Sequence, residues 1–246
     1  MLNPKDLMMK WRNEGYHLNY GRDVLVEFLD YYNGDSCRLL DIGCGEGGDL
    51  MNFKEHLEDR GTKMEPYGLE VDPVKVAGCR KAGIKMDSID LESSPLPFKD
   101  AFFDVTVCNQ AYEHLKNWMW IFHEQIRVTR KEGLALIGVP NLAAWHCRVQ
   151  LMLGVQPSCI KIDDCHVRGF TPSSIRNLIE SIEGLSLIEF GGSNFYGVPP
   201  FIASKVGRML PELATSIFFL VRKTNDSVPV IDKISAKTLE TNFFTG

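Results

Sequence analysis

Short apolar runs alternate along the chain with stretches whose apolar residues recur every three or four positions. The runs at 37–42, 66–70, 84–89, 103–108, 134–139, 185–190 and 216–222 are short and almost continuously apolar, which predicts strands covered on both faces. Between them, 47–58, 73–82, 118–128 and 172–181 carry helical spacing, and a further helical stretch, 22–30, precedes the first run. Thr171 stands where an N-cap belongs, Pro172 at the first helical position, and Gly184 just beyond the end. Short apolar runs alternating with amphipathic stretches predict βαβ units, hence an α/β fold around a parallel sheet.

The 246 residues read as one domain, 1–246. Residues 1–36 form a helical extension ahead of the first strand, with Trp11, Tyr16 and His17 able to fold over a site. The stretch 141–170 is too long for a plain connection and carries Trp145, His146 and the apolar LMLGV, so it reads as an inserted substrate cap. The apolar region 199–221 could flank a lipophilic substrate or a second subunit of a homodimer, or complete the core around the last strand.

Composition narrows the class. Hydrophobic residues at 44% and charged residues at 24% exclude a disordered or fibrous chain. A net charge of 27 − 32 = −5 argues against broad nucleic-acid binding. Seven cysteines without a C-x-x-C pair read as reduced thiols in a cytoplasmic compartment. The first residues lack the apolar core of a secretory signal, and the most apolar stretch near the end, 213–221, is about half of the ~20 residues that span a bilayer.

The strongest local signal is LLDIGCGEGGDL, residues 39–50: a buried strand ending in Asp41, glycines at 43, 45 and 47, then a helix. Such a turn lets a ligand approach the backbone without meeting a Cβ. Gly43, Gly45 and Gly48 also satisfy the G-x-G-x-x-G of dinucleotide sites, with Glu70 at the spacing of a ribose acid. Charge separates the two readings. A carboxylate at Asp41 facing a pyrophosphate ~4 Å away at an effective dielectric of ~20 is opposed by ~4 kcal/mol, whereas a ligand bearing ammonium and sulfonium groups is attracted. S-adenosylmethionine is such a ligand.

LLDIGCGEG resembles the first motif of class I S-adenosylmethionine-dependent methyltransferases at every position. That resemblance implies a doubly wound, mostly parallel seven-stranded sheet with helices on both faces and an antiparallel last strand, a Rossmann-like methyltransferase fold. It implies S-adenosylmethionine as cofactor, S-adenosylhomocysteine as product, and a backbone cradle of Gly43, Cys44 and Gly45. GLEVDP, 68–73, resembles the end of the second strand, where Glu70, flanked by Val71, would accept from both ribose hydroxyls; Asp72 fits better as an N-cap beside Pro73. DLESSPLPFKDAFFDV resembles the stretch in which Asp90 would accept from the adenine amine, with Leu91 against the ring and Asp87 as the alternative; Asp104 reads as structural. Asn109 and Gln110 end the fourth strand, at the ligand edge of such sheets. Lys131 and Glu132 depart from the proline and glycine usual there, at a turn remote from the cofactor.

Methyl transfer from a sulfonium is an in-line displacement, so the protein contributes positioning, water exclusion and, for some acceptors, proton removal. His114 follows the fourth strand and could serve as that base. The Glu113-His114 pair is similar to one in ubiquinone-pathway O-methyltransferases, where a preceding glutamate joins it to hold a divalent metal. Gln110 stands in that place, and no metal is expected. His146, Cys147, Cys159, Cys165 and His166 match no common zinc spacing. Tyr16, Trp145, His166 and Arg168 are candidate contacts to a small-molecule acceptor. A nicotinamide-dependent oxidoreductase and an inactive S-adenosylmethionine-binding module remain the competing readings.

Overall fold

A computed structural model of the chain describes residues 21–92, 94–163 and 165–230. Their seven strands are β1 Ser36–Ile42, β2 Lys63–Leu69, β3 Lys85–Asp87, β4 Phe103–Asn109, β5 Thr129–Pro140, β6 Leu185–Ser193 and β7 Ser216–Lys223. They lie in the order β3-β2-β1-β4-β5-β7-β6, with β7 antiparallel to both neighbours and the other pairings parallel. The helices are α1 Arg22–Phe28, α2 Gly48–Asp59, α3 Pro73–Lys81, α4 Trp118–Val128, α5 Trp145–Met152, α6 Pro172–Ser181 and α7 Pro200–Met209.

The continuous apolar strand runs follow from burial on both faces. Leu39, Val105, Leu134, Leu136, Phe218 and Leu220 pack on one side with Leu25, Phe28, Phe53 and Leu57 of α1 and α2. Leu40, Ile42, Ala135, Ile137, Ile217 and Phe219 face the other side, against Ile121, Phe122 and Ile126 of α4 and Ile175 and Ile179 of α6. A register shift between Phe103 and Val105 turns Phe103 to the α4 side although two positions separate the pair. Asp104, at that shift, accepts from the Arg38 amide at 2.8 Å and from Arg130 Nε at 2.7 Å, tying β1 to β5 at the end away from the glycine turn. Lys223 is buried and its ammonium donates to the carbonyls of Ile126 at 2.9 Å and Thr129 at 2.8 Å, closing the C-terminus of α4.

Local signals placed most boundaries. Asp72 accepts from the Val74 amide at 2.8 Å and caps α3, and Thr171 with Ser174 forms a capping box on α6. Two differences have physical reasons. The sequence 199–221 splits into α7 and β7: Pro199 is the N-cap and Pro200 the first position of α7, where a proline loses no helical hydrogen bond. Strand β7 completes the core, its side chains buried along nearly its whole length. Glu132 has φ +59°, a left-handed residue where glycine is usual.

The 141–170 segment is a closed excursion. Asn141 and Phe170 meet in a parallel bridge, the Leu142 amide donates to the Phe170 carbonyl at 2.8 Å, and the Asn141 side chain donates to Ala214 O at 2.9 Å. Helix α5 lies within it. No helix among the described residues is long and apolar enough to cross a membrane.

Candidate active site

The parallel strands all end at one edge, and a cavity of about 750 Å³ opens there beside β1 and β4. Its floor comes from the turn after β1, through Gly43, Cys44, Gly45 and Glu46, and from Gly48 and Asp49 at the start of α2. Asn109 and Gln110 supply one wall, Glu113 and His114 the next, and Arg22 and His166 close the rim. The turn is pinned to β2: the Gly43 and Cys44 amides donate to Leu69 O at 2.9 and 3.0 Å. Gly45 (φ +55°) and Gly47 (φ +78°) both need the left-handed region. A Cβ on Gly45 would meet open space, whereas one on Gly47 would lie 2.7 Å from Ile84 Cδ1. One glycine leaves room over the turn; the other lets the turn pack.

Glu70, at the carboxyl end of β2, folds onto the turn. Its carboxylate accepts from the Gly45 amide at 3.0 Å, from Val71 at 3.0 Å and from Asp72 at 3.1 Å. Asp49 accepts from Arg22 Nε and, at 2.8 Å, from Asn109 Nδ2, joining α1, α2 and β4 around the cavity. Gln110 has φ +54°, a strained backbone for a side chain of its size, and its Nε2 is buried without a hydrogen-bond partner. Glu113 is buried, with Oε2 likewise unpartnered and Oε1 4.0 Å from His114 Nε2. Burial pushes its carboxyl up to about 7.

The residues singled out from sequence do not all reach this cavity. Gly43, Cys44, Gly45, Asn109, Gln110, His114 and His166 line it. Asp41 does not: it is 2% exposed beneath the turn. Burial raises its pKa well above the carboxylate range, with Asp49 and Glu70 adding to the rise and Arg22 opposing it. Glu70 lies beside the lining, and Val71 is exposed. Asp90 is exposed and accepts from the Glu92 amide at 3.0 Å, while Leu91 packs partly into the α4-side core. Arg168 donates to Lys116 O at 2.9 Å, and Trp145 donates to Tyr196 O at 3.0 Å and stacks on Phe195. Trp11, Tyr16 and His17 lie outside the described residues.

Sequence reasoning did not place Arg22, Glu46 and Asp49 at the cavity. Glu46 and Asp49 sit inside the glycine motif, where proximity was legible; Arg22, remote in sequence, gave no signal. The lining thus carries three carboxyl groups, Glu46, Asp49 and Glu113, against one guanidinium. Burial holds Asp41 toward its neutral form, so the preference for a cationic ligand over a pyrophosphate passes to Glu46 and to Asp49, the latter paired with Arg22, while Glu113 is itself raised toward neutrality.

A family model described as "Methionine biosynthesis protein MetW" matches residues 26–162, more than half of the chain. The chain belongs to the MetW family. The matched stretch runs from α1 through β5 into the 141–170 excursion, so it contains the glycine turn, Glu70 and His114 but not Cys165 or His166. A Mycolicibacterium smegmatis protein named "Probable S-adenosylmethionine-dependent methyltransferase" is 32% identical over 105 residues, 42% of this chain and 38% of that protein. Norajmaline N-methyltransferase of Rauvolfia serpentina is 28% identical over 113 residues, 43% of this chain and 38% of that one. The chain therefore spans well under half the length of these curated relatives. The crystal structure of an S-adenosylmethionine-dependent methyltransferase from Mesorhizobium loti superposes with a TM-score of 0.56 at 18% identity, covering 85% of this chain and 100% of that one.

The fold is the Rossmann-like class I methyltransferase fold. Its antiparallel β7, inserted between β5 and β6, departs from the 3-2-1-4-5-6 order of dinucleotide-binding sheets. The relatives' names and the fold point to S-adenosylmethionine as cofactor, and the residues present fit it. Open space lies over Gly45, a carboxylate with hydrogen-bond acceptors stands at the β2 edge, and buried polar atoms of Gln110 and Glu113 lack partners.

Proposed function

We propose that the MetW-family chain binds S-adenosylmethionine across the carboxyl ends of β1, β2 and β4 and transfers its methyl group to a small-molecule acceptor. The observation that carries this reading is the Glu70 carboxylate held against the Gly45 amide at 3.0 Å, beside a turn over which a Cβ would find only space. When bound, the cofactor supplies an electrophilic methyl on a cationic sulfur.

The chain's own groups do the rest. Glu70 takes the ribose hydroxyls, its position fixed by three amides. Asp90 and Leu91 receive the adenine side, Gly43, Cys44 and Gly45 form the backbone cradle, and Val71 flanks Glu70. Asn109 and Gln110 bind along the β4 edge. Arg22, half-exposed and anchored on Asp49, offers a guanidinium for a carboxylate at the rim. His114 accepts the proton of a hydroxyl or amine acceptor, with the Glu113 carboxyl 4.0 Å behind it. The 141–170 excursion covers the acceptor, since its residue His166 already lines the cavity. A cavity of about 750 Å³ suits a nucleoside with a small partner, and its acidic lining opposes a polyphosphate.

Calorimetric titration with S-adenosylhomocysteine tests the reading. Saturable binding is expected, with no comparable heat from NADH. Folded protein that ignores S-adenosylhomocysteine at hundreds of micromolar would refute it.

A further inference from the structure

The Cys165-His166 pair at the end of the excursion converges on the turn after β4. We propose that His114, Cys165 and His166 form a zinc site at the mouth of the cavity. One donor atom of each lies within 4.8 Å of the other two, and the two imidazole rings meet edge to face with centroids 4.7 Å apart. Zinc bonds of about 2.0–2.3 Å set tetrahedral ligands roughly 3.5 Å apart. The set closes on an ion by side-chain rotation at His114 and Cys165, both exposed.

An independent observation fixes the chemistry of one ligand. His166 Nδ1 lies 2.8 Å from the Cys159 carbonyl oxygen. A carbonyl only accepts, so the ring hydrogen is on Nδ1 and the lone pair on Nε2. This is the outer hydrogen bond that orients metal-bound imidazoles. The backbone is assembled too: the Val167 and Arg168 amides donate to Glu113 O at 2.8 and 3.2 Å, clamping the Cys165-His166 strand to the His114 turn.

Two imidazoles and a thiolate select borderline-soft zinc over magnesium or calcium, which take oxygen ligands. Neither Gln110 nor Glu113 belongs to the set, so it differs from the acidic one whose absence led the sequence to predict no metal. Binding releases the Cys165 proton to solvent and leaves a fourth tetrahedral position. A hydroxyl or thiol bound there would be acidified by the ion and would lose its proton to solvent, in place of the transfer to His114 described above. Zinc binding itself does not depend on methyl transfer being the activity.

The test uses the full chain stripped by a chelator, titrated with zinc against a chromophoric competitor and separately with cobalt(II). One ion per chain is expected, with a sulfur-to-cobalt charge-transfer band. Cys165→Ser should abolish the band and weaken zinc at least about tenfold, and His166→Gln should weaken zinc similarly. Cys147 and Cys159, with sulfurs 3.5 Å apart beside His146, are the rival donors. The Cys147→Ser/Cys159→Ser double variant should keep both signals. The site is overturned if folded wild type binds no stoichiometric ion, or if the band survives Cys165→Ser and vanishes in the double variant.

Discussion

Gly45 and Gly47 stand two residues apart in one turn, both left-handed, yet a methyl group added to each should do different things. An alanine in the left-handed region costs about 1–2 kcal/mol. At Gly45 nothing lies within 4 Å of the new Cβ, so that is the whole expected loss of stability. For a domain of this size about 1 kcal/mol lowers Tm by roughly 2–4 °C. At Gly47 the Cβ lies 2.7 Å from Ile84 Cδ1 and 3.1 Å from Cys79 Sγ. Both neighbours are buried, which adds at least ~1 kcal/mol of overpacking. Gly47→Ala should therefore fall roughly twice as far in Tm. Ligand binding should rank the other way. The open space over Gly45 is where the cofactor's backbone contacts belong, so Gly45→Ala should weaken S-adenosylhomocysteine about tenfold or more, equivalent to ~1.4 kcal/mol. Gly47→Ala should keep affinity within about threefold. Thermal melts and calorimetry on both variants decide it. An unchanged affinity in Gly45→Ala, together with a lost one in Gly47→Ala, would mean that the ligand approaches a different side of the turn.

Glu70→Ala should cost roughly 1.5–3 kcal/mol of cofactor affinity, the range for hydrogen bonds to a charged group, while Glu70→Gln should recover part of it in the same titration. Glu132→Gly should relieve the left-handed strain at φ +59° and, after the added chain entropy, raise stability by about 0.5–1 kcal/mol in urea melts. A loss there would refute the strain. Lys223→Met should destabilise by about 1–3 kcal/mol, because the Ile126 and Thr129 carbonyls lose their buried donor. Burial lowers the Lys223 pKa below its ordinary 10.5, so the unfolded chain holds more protons than the native state as pH approaches that value. The lysine's contribution to wild-type stability thus rises with pH in that alkaline window. The Lys223→Met variant should lack this rise when both are melted across the same pH series.

The sequence determined whatever depends on neighbours along the chain. Burial on both faces shows as continuous apolar runs, so β1, β4, β5 and β7 were legible to within a few residues. Caps such as Asp72 and Thr171 act within three residues, and the glycine turn bends within five. Edge strand β3 pairs with β2 over only three residues, short of the apolar run 84–89. Helix α7 was not separated from the rest of the apolar region 199–221 in the sequence.

Tertiary structure decided which side chains share the cavity. Asp41 looked like the ligand-facing acid, but strand pairing buries it and the start of α2 brings Asp49 forward instead. Arg22 arrives from a helix folded across the sheet edge, and no spacing rule reports that. His114 meets Cys165 and His166 only because the excursion returns to the turn after β4, pinned by amides on the Glu113 carbonyl. Hydrogen bonds between near neighbours leave a periodic trace in sequence, whereas convergence across strands depends on the order in which the sheet assembles.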